Sequence, residues 1–206
     1  MENGVPVTGA LDVYKTPKLW SARTLFAARC ANCHDAGSKE RKGPVIAPGH
    51  GDRKWLTQFL HAPSDEQFWG KTKLAKTDAA MKPVELPASD LTDLVEMLYA
   101  ESGAGGIDAA KRERGLKVFE SACTDCHSRD EGVAGTSGPA LAGLGSRDYY
   151  TSFMSNPKSA LHMGTDKSEM PRFDKELTIV ERDALAEYLV WLRTATAQEL
   201  RGLGPL

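Results

Sequence analysis

The chain has 206 residues, 41% of them hydrophobic and only 7% aromatic, with 26 basic and 28 acidic side chains and a net charge of -2. That length allows one large domain or two small ones, and the even charge balance excludes a nucleic-acid binder with a basic face. No apolar run is long enough to span a membrane, and Met1-Glu2-Asn3-Gly4 lacks the basic start and apolar core of a secretory leader, so an exported chain would need a leader, or a membrane helix, ahead of what reads as a trimmed sequence.

In chain order, the pattern first predicts a helix over 19–30 that runs into CANCH, Cys30–His34. A second helix is expected over 52–62, with Asp52 as its N-cap. A third covers 89–101, with Leu91, Leu94, Val95 and Leu98 at helical spacing. Ser102-Gly103-Ala104-Gly105-Gly106 reads as a flexible linker by composition. Then the order repeats. A helix over 108–123 leads into CTDCH, Cys123–His127; another over 146–156 starts at Ser146; a last covers 179–194, with Ala184, Leu185, Leu189 and Leu192 inside. Thr178 and Glu181 have capping-box spacing at its start. No stretch alternates as a strand would.

The repetition extends to single residues. Phe26 and Phe119 precede the two motifs at the same spacing, and Gly43-Pro44 and Gly138-Pro139 follow them. GDRKWLTQFLHAP (51–63) matches GSRDYYTSFMSNP (145–157), and Met81 with Pro83 matches Met170 with Pro171. Two homologous domains are therefore expected, 1–103 with an N-terminal extension over 1–18, and 104–206. Between the short helices lie long loops containing Gly and Pro, which are uncommon in compact domains unless they wrap something.

The chain's four cysteines all fall in the two five-residue motifs. A C-x-x-C pair can form a redox disulfide, half a zinc site, or two thioethers to haem vinyl groups. The histidine after the second cysteine favours haem: both thiols become thioethers and the imidazole supplies the proximal iron ligand. A four-cysteine zinc site would join two long homologous units and leave both histidines unexplained. A thioredoxin-like site needs a βαβ setting that the pattern lacks. The expected cofactors are two covalent haem c groups, held by Cys30 and Cys33 and by Cys123 and Cys126, with His34 and His127 on the irons. Haem as a core element also fits the thin aromatic content.

Each iron then needs a distal ligand. Met81 and Met170 occupy matching loops before the closing helices, and a thioether suits an electron-transfer haem. Met81 is expected opposite His34, and Met170 opposite His127. His50 and His61 in the first half, and His162 and Met163 in the second, are the rivals. Met97 and Met154 fall at core positions. A loop histidine is ordinarily solvated. The Pro44 and Pro139 carbonyls are candidates to orient the proximal histidines. Arg53, Trp55, Arg147 and Tyr149 could hydrogen-bond haem propionates, with a surface salt bridge as the alternative for either arginine. Lys71, Lys73, Lys76 and Lys82 surround Met81 and could steer an acidic partner, or simply be solvated.

Taken together, the Phe, CxxCH, Gly-Pro, middle helix, Met-Pro loop and closing helix resemble class I cytochrome c domains, twice over. GVPVTGALDVYKTPKLWSARTLFAARCANCH, GHGDRKWLTQFLHAP and GLGSRDYYTSFMSNP also resemble the c-type haem domains of bacterial bc-type quinol-oxidising complexes. Met81-Lys82-Pro83 departs from the family's adjacent Met-Pro, which Met170-Pro171 keeps. The resemblance implies an all-α fold of two tandem cytochrome c domains, each wrapping one haem c, on the periplasmic face. It implies electron transfer without catalytic residues. The implied partners are a membrane-bound quinol-oxidising complex and a downstream cytochrome or oxidase, with membrane association only through a missing segment or a partner subunit. A free-standing dihaem carrier is the alternative, then a dihaem peroxidase or a zinc module.

Overall fold

Helix starts are set by short polar side chains, as expected. In the computed structural model, which describes residues 10–164 and 167–203 with side chains from 18 onward, Asp52 accepts a hydrogen bond from the Trp55 amide and Ser146 from the Tyr149 amide. Thr178 and Glu181 close a full capping box. Each such cap satisfies an amide that has no partner within the helix. The resulting helices are α1 (Ala10–Arg29), α2 (Ala31–His34), α3 (Arg53–His61), α4 (Ala88–Glu101), α5 (Ala109–Ala122), α6 (Arg147–Ser155), α7 (Ile179–Leu192) and α8 (Ala197–Gly202). A 3-10 turn covers Leu74–Lys76, and no strand occurs among the described residues. The fold is all-α. Two features exceed expectation: α1 begins well before residue 19, and α8 adds a second capping box from Thr196 and Glu199. Residues 1–9 of the N-terminal extension, and 204–206, lie outside the described residues.

The packing crosses the halves. The first helix, α1, packs on α7, the closing helix of the second half. The closing helix of the first half, α4, packs on α5, the opening helix of the second. Among the described residues α1 does not pack on α4, nor α5 on α7. The middle helices follow suit, α3 on α4 and α6 on α7.

Two apolar cores result. One gathers Ala22 and Phe26 of α1 with Met154 of α6 and Leu185, Ala186, Tyr188, Leu189 and Leu192 of α7. The other gathers Leu56 and Leu60 of α3, Leu91 to Tyr99 positions of α4, and Phe119 of α5. Leu94 and Leu185 are fully buried, and each such side chain stabilises the fold by about 1.5–3 kcal/mol relative to exposure. Met97 and Met154 are buried core residues, as their positions predicted.

The chain changes core at two glycine turns. Ile46 packs with the first core and Leu56 with the second; between them Gly49 and Gly51 have positive φ. Leu141 packs with the second core and Met154 with the first; between them lie Gly143 and Gly145, also at positive φ. These angles suit glycine because it has no Cβ to clash. Arg193, buried, joins the crossover to the connector: its guanidinium donates to the Gly145 carbonyl and, at 2.8 Å, to Ser102 Oγ.

The expected flexible linker is tied down. Ala104 and Ile107 pack on the α3/α4/α5 core, and the Gly106 carbonyl accepts from Arg53 Nη2 at 2.9 Å. Composition alone suggested freedom. Burial of Ala104 and Ile107, and a donor for the Gly106 carbonyl, remove it.

Candidate haem sites

Behind each motif the histidine ring is fixed from two sides. His34 Nδ1 donates to the Pro44 carbonyl at 2.9 Å, and His127 Nδ1 to the Pro139 carbonyl at 2.8 Å. A carbonyl can only accept, so the proton sits on Nδ1 and the Nε2 lone pair is left for a metal. The preceding glycines allow this approach. A Cβ on Gly43 would lie 2.5 Å from His34 Cε1, and one on Gly138 would lie 2.4 Å from His127 Cε1. Burial pushes both imidazole pKa values down, partly offset by the proline carbonyls, which favours the neutral, ligating form. The Pro44 and Pro139 carbonyls are thus the groups that meet the two imidazoles.

The thiols sit alongside. Burial pushes the Cys30 thiol up to about 11, with Cys33 adding to the effect, and burial also raises the Cys123 thiol. No disulfide joins any of the four cysteines. Among the described residues no three His, Cys, Asp or Glu side chains converge as a metal cluster, so the four-cysteine zinc site does not form.

Cys30, Cys33 and His34 open onto a cavity of about 300 Å³ with largely apolar walls. A buried apolar slot beside two thiols and a clamped imidazole fits a covalent haem. Its wall draws on the other half, through Tyr149, Phe153 and Met154 of α6, Leu185 and Leu189 of α7 and the Met170 loop, as well as on Trp55, Leu56, Leu98 and Tyr99 of the first half. Met81, expected opposite His34, is not on this wall. It packs instead on the second core, together with Cys123, Leu141 and Leu144. The reason is the crossing of helices. Each methionine loop is pinned to the end of its own middle helix, Val84 N to Leu60 O at 2.8 Å and Phe173 N to Met154 O at 3.0 Å. It therefore travels with that helix to the opposite motif.

The remaining predicted positions divide. Trp55 and Tyr149 reach the cavity wall. Arg53 and Arg147 do not; each guanidinium is held by a carboxylate. Arg53 donates to both Glu96 oxygens at 2.6 and 2.8 Å, and Arg147 Nε donates to Asp183 at 2.6 Å. Both arginines thus sit in salt bridges, the alternative reading for either. The cavity's basic residues instead include Arg29 and Lys42, whose positions beside Cys30 and Gly43 were the available signal. His61 is exposed. His50 and His162 are not solvated as loop histidines usually are. His50 lies against Trp55, and burial drives its pKa down to about 4. His162 takes the place of Phe68 in a repeated turn, between Tyr149 and Phe153, and bonds Ser152 Oγ at 2.9 Å. Met163 joins Met170 on the cavity wall. Of the lysines around Met81, Lys71 pairs with Glu66 at 3.1 Å and Lys73 with Glu169 at 3.8 Å, while Lys76 and Lys82 are exposed.

Comparison with known proteins gives one match in each half. The family model for cytochrome c matches residues 21–99, and that for cytochrome c oxidase, cbb3-type, subunit III, matches residues 110–189. The chain is a tandem of class I cytochrome c domains. Two covalently bound haem c groups follow from that assignment. The tandem cytochrome is 27% identical over 136 residues to the cbb3-type cytochrome c oxidase subunit FixP of Azorhizobium caulinodans. That match covers 58% of the chain and 43% of the relative, so the chain spans less than half of the curated protein it matches. No solved structure matches it. Its function is that of a cytochrome c, electron transfer. No helix among the described residues is long and apolar enough to cross a membrane.

Proposed function

We propose that this tandem cytochrome is the electron-carrying part of a membrane-bound respiratory complex, placed on the periplasmic face, with no catalytic residues of its own. The supporting observation is the clamp behind each motif, with Met170 lining the cavity at CANCH and Met81 packed on the core that takes in Cys123. Two protein ligands to an iron leave no coordination position for a substrate. Bound haem c supplies reversible one-electron chemistry between ferric and ferrous iron. The chain's own residues do the rest. Pro44 and Pro139 fix the imidazoles, the cysteines would hold the porphyrin edge, Met81 and Met170 would offer neutral sulfur ligands, and the apolar walls would exclude water.

The context is read from two sources. FixP carries the name of a cbb3-type oxidase subunit, which supports delivery of electrons to a terminal oxidase. The paired GDRKW and GSRDYY helix starts support a bc-type quinol-oxidising complex as the second reading. A visible spectrum with a pyridine haemochrome count tests the shared part. Two c-type haems per chain, with the weak long-wavelength sulfur-to-iron band in the oxidised form, is the expected result. A high-spin oxidised spectrum with peroxide turnover would replace it with the dihaem peroxidase. Stopped-flow mixing then separates the contexts: rapid oxidation of the reduced protein by oxidase-containing membranes supports the first, and rapid reduction by quinol-charged membranes the second.

A further inference from the structure

We propose that the two halves exchange their axial methionines. Met170 ligates the haem iron held by Cys30, Cys33 and His34, and Met81 ligates the iron held by Cys123, Cys126 and His127. The inference rests on the dihaem His/Met reading above and adds to it which residue closes which site.

Three features of the packing point this way. Met170 lines the same cavity as Cys30, Cys33 and His34, and Met81 does not. Met170 packs on the core that also takes in Cys30, Ala31 and Ile46, whereas Met81 packs on the core that takes in Cys123, Leu141 and Leu144. The backbone carries each loop across: α6 and α7 lie with α1, the helix that delivers CANCH, and α3 and α4 lie with α5, the helix that delivers CTDCH. Met163 lines the first cavity too, but it is absent from the group packed on the first core, and only Met170 repeats the position of Met81.

Sequence repetition permits the exchange at little cost. The halves carry matching loops at matching spacings, so either methionine loop has the length to serve either motif. The chain passes between the cores at the glycine turns at 49–51 and 143–145. A consequence is that neither half contains a complete haem site. Each six-coordinate centre forms only when both halves have folded together.

The test uses the full chain with one haem removed. The double variant Cys123→Ala, Cys126→Ala attaches haem only at CANCH. In that background Met170→Ala is expected to abolish the oxidised sulfur-to-iron band, and Met81→Ala to leave it in place. The double variant Cys30→Ala, Cys33→Ala should show the reverse. A band lost with Met81→Ala at CANCH, or lost there only with Met163→Ala, overturns the exchange. Should the single-haem chains not fold, methyl-labelled methionine NMR on the intact two-haem protein decides. The strongly shifted Met170 methyl must contact the haem whose protons also contact Cys30 and Cys33; contact with the Cys123 and Cys126 haem overturns the exchange. A two-haem protein with no sulfur-to-iron band at all would sink the His/Met reading itself before any variant is compared.

Discussion

The two packing units are built from homologous helices but held differently. The α3/α4/α5 unit is fastened by ionised side chains. Buried Glu96 accepts from Arg53 and, at 2.8 Å, from the Asp108 amide, so one carboxylate joins α3, α4 and the start of α5. Asp93 on α4 accepts from Arg114 on α5 at 2.6 and 2.9 Å. The α1/α6/α7 unit relies on more exposed ion pairs, Lys18 with Glu187 and Arg147 with Asp183, and on the Phe26–Tyr188 ring contact at 5.8 Å. Connectivity differs as well. A short, tied connector links α4 to α5, whereas α1 and α7 lie far apart in sequence. Closing the α1–α7 contact must overcome a larger loop entropy. The first unit is thus local and fastened by buried carboxylates, and the second non-local, with its ion pairs nearer to solvent. Local contacts form more readily, so α4–α5 is expected to be the earlier assembly.

Equivalent phenylalanines test a feature the two units share. Phe119 is buried, and Phe26 packs on Tyr188 and also lines the cavity at CANCH. Phe119→Ala and Phe26→Ala are each expected to cost about 3–5 kcal/mol, the usual range for a buried aromatic. Denaturant melts of the haem-loaded protein measure both; a much smaller loss at either position would mean that its ring is not a core element of its unit.

Gly115 sharpens the comparison at a single contact. A Cβ there would lie 2.0 Å from the Asp93 carbonyl oxygen and 2.8 Å from Met97 Cβ. Because the first obstacle is backbone, α4 and α5 would have to separate. Gly115→Ala should therefore destabilise by about 1–3 kcal/mol through overpacking, despite alanine's better helix propensity. Gly202→Ala, which meets nothing within 4 Å, serves as the control. Circular-dichroism melts that showed Gly115→Ala to be neutral would contradict the close α4–α5 approach.

Much of this was legible in the sequence, and the reason is locality. Asp52, Ser146 and the Thr178–Glu181 pair announce helix starts within four residues of themselves. CANCH and CTDCH carry both attachment points and the proximal ligand in five. The crossing was not legible, because it is a choice between identical alternatives. Residues that let α1 pack on α4 also let it pack on α7. Met81 and Met170 match in spacing, so repetition itself suggested that each half closes on itself. Arg53 and Arg147 were ambiguous for a related reason: their partners, Glu96 and Asp183, lie a full loop away on the closing helices.

Acid should loosen the polar unit through Glu96. Hydrogen bonds from Arg53 hold its carboxyl below the ordinary value of 4.5, outweighing burial. A depressed carboxylate pKa contributes stability that is complete above the unfolded value and is lost as pH falls through the folded one. Stability should therefore fall as pH drops below about 4.5, and Glu96→Gln should flatten that part of the profile while lowering stability at neutral pH. Thermal melts across this range measure it; an unchanged profile would remove Glu96 as the fastening.

The smallest expected effect closes the comparison. Arg53 and Arg147 are equivalent residues, and both bind carboxylates on the closing helix of their unit. The difference lies in the partner. The Glu96 side chain is 6% exposed and Asp183 is 28% exposed. Removing Arg53 leaves a carboxylate with little water to replace the lost donors, whereas Asp183 can be rehydrated where it stands. Arg147→Ala should therefore shift the melting temperature little, and less at high salt. Arg53→Ala should lower it clearly, and Arg53→Lys should restore only part of the loss, because an ammonium cannot reproduce the two-point fork. Neither change should alter the spectrum of the haem at CANCH, since neither guanidinium lines that cavity. A spectral change in Arg53→Ala alone would show that fastening α3 to α4 also sets the position of the Met81 loop, which hangs from the end of α3 at Leu60.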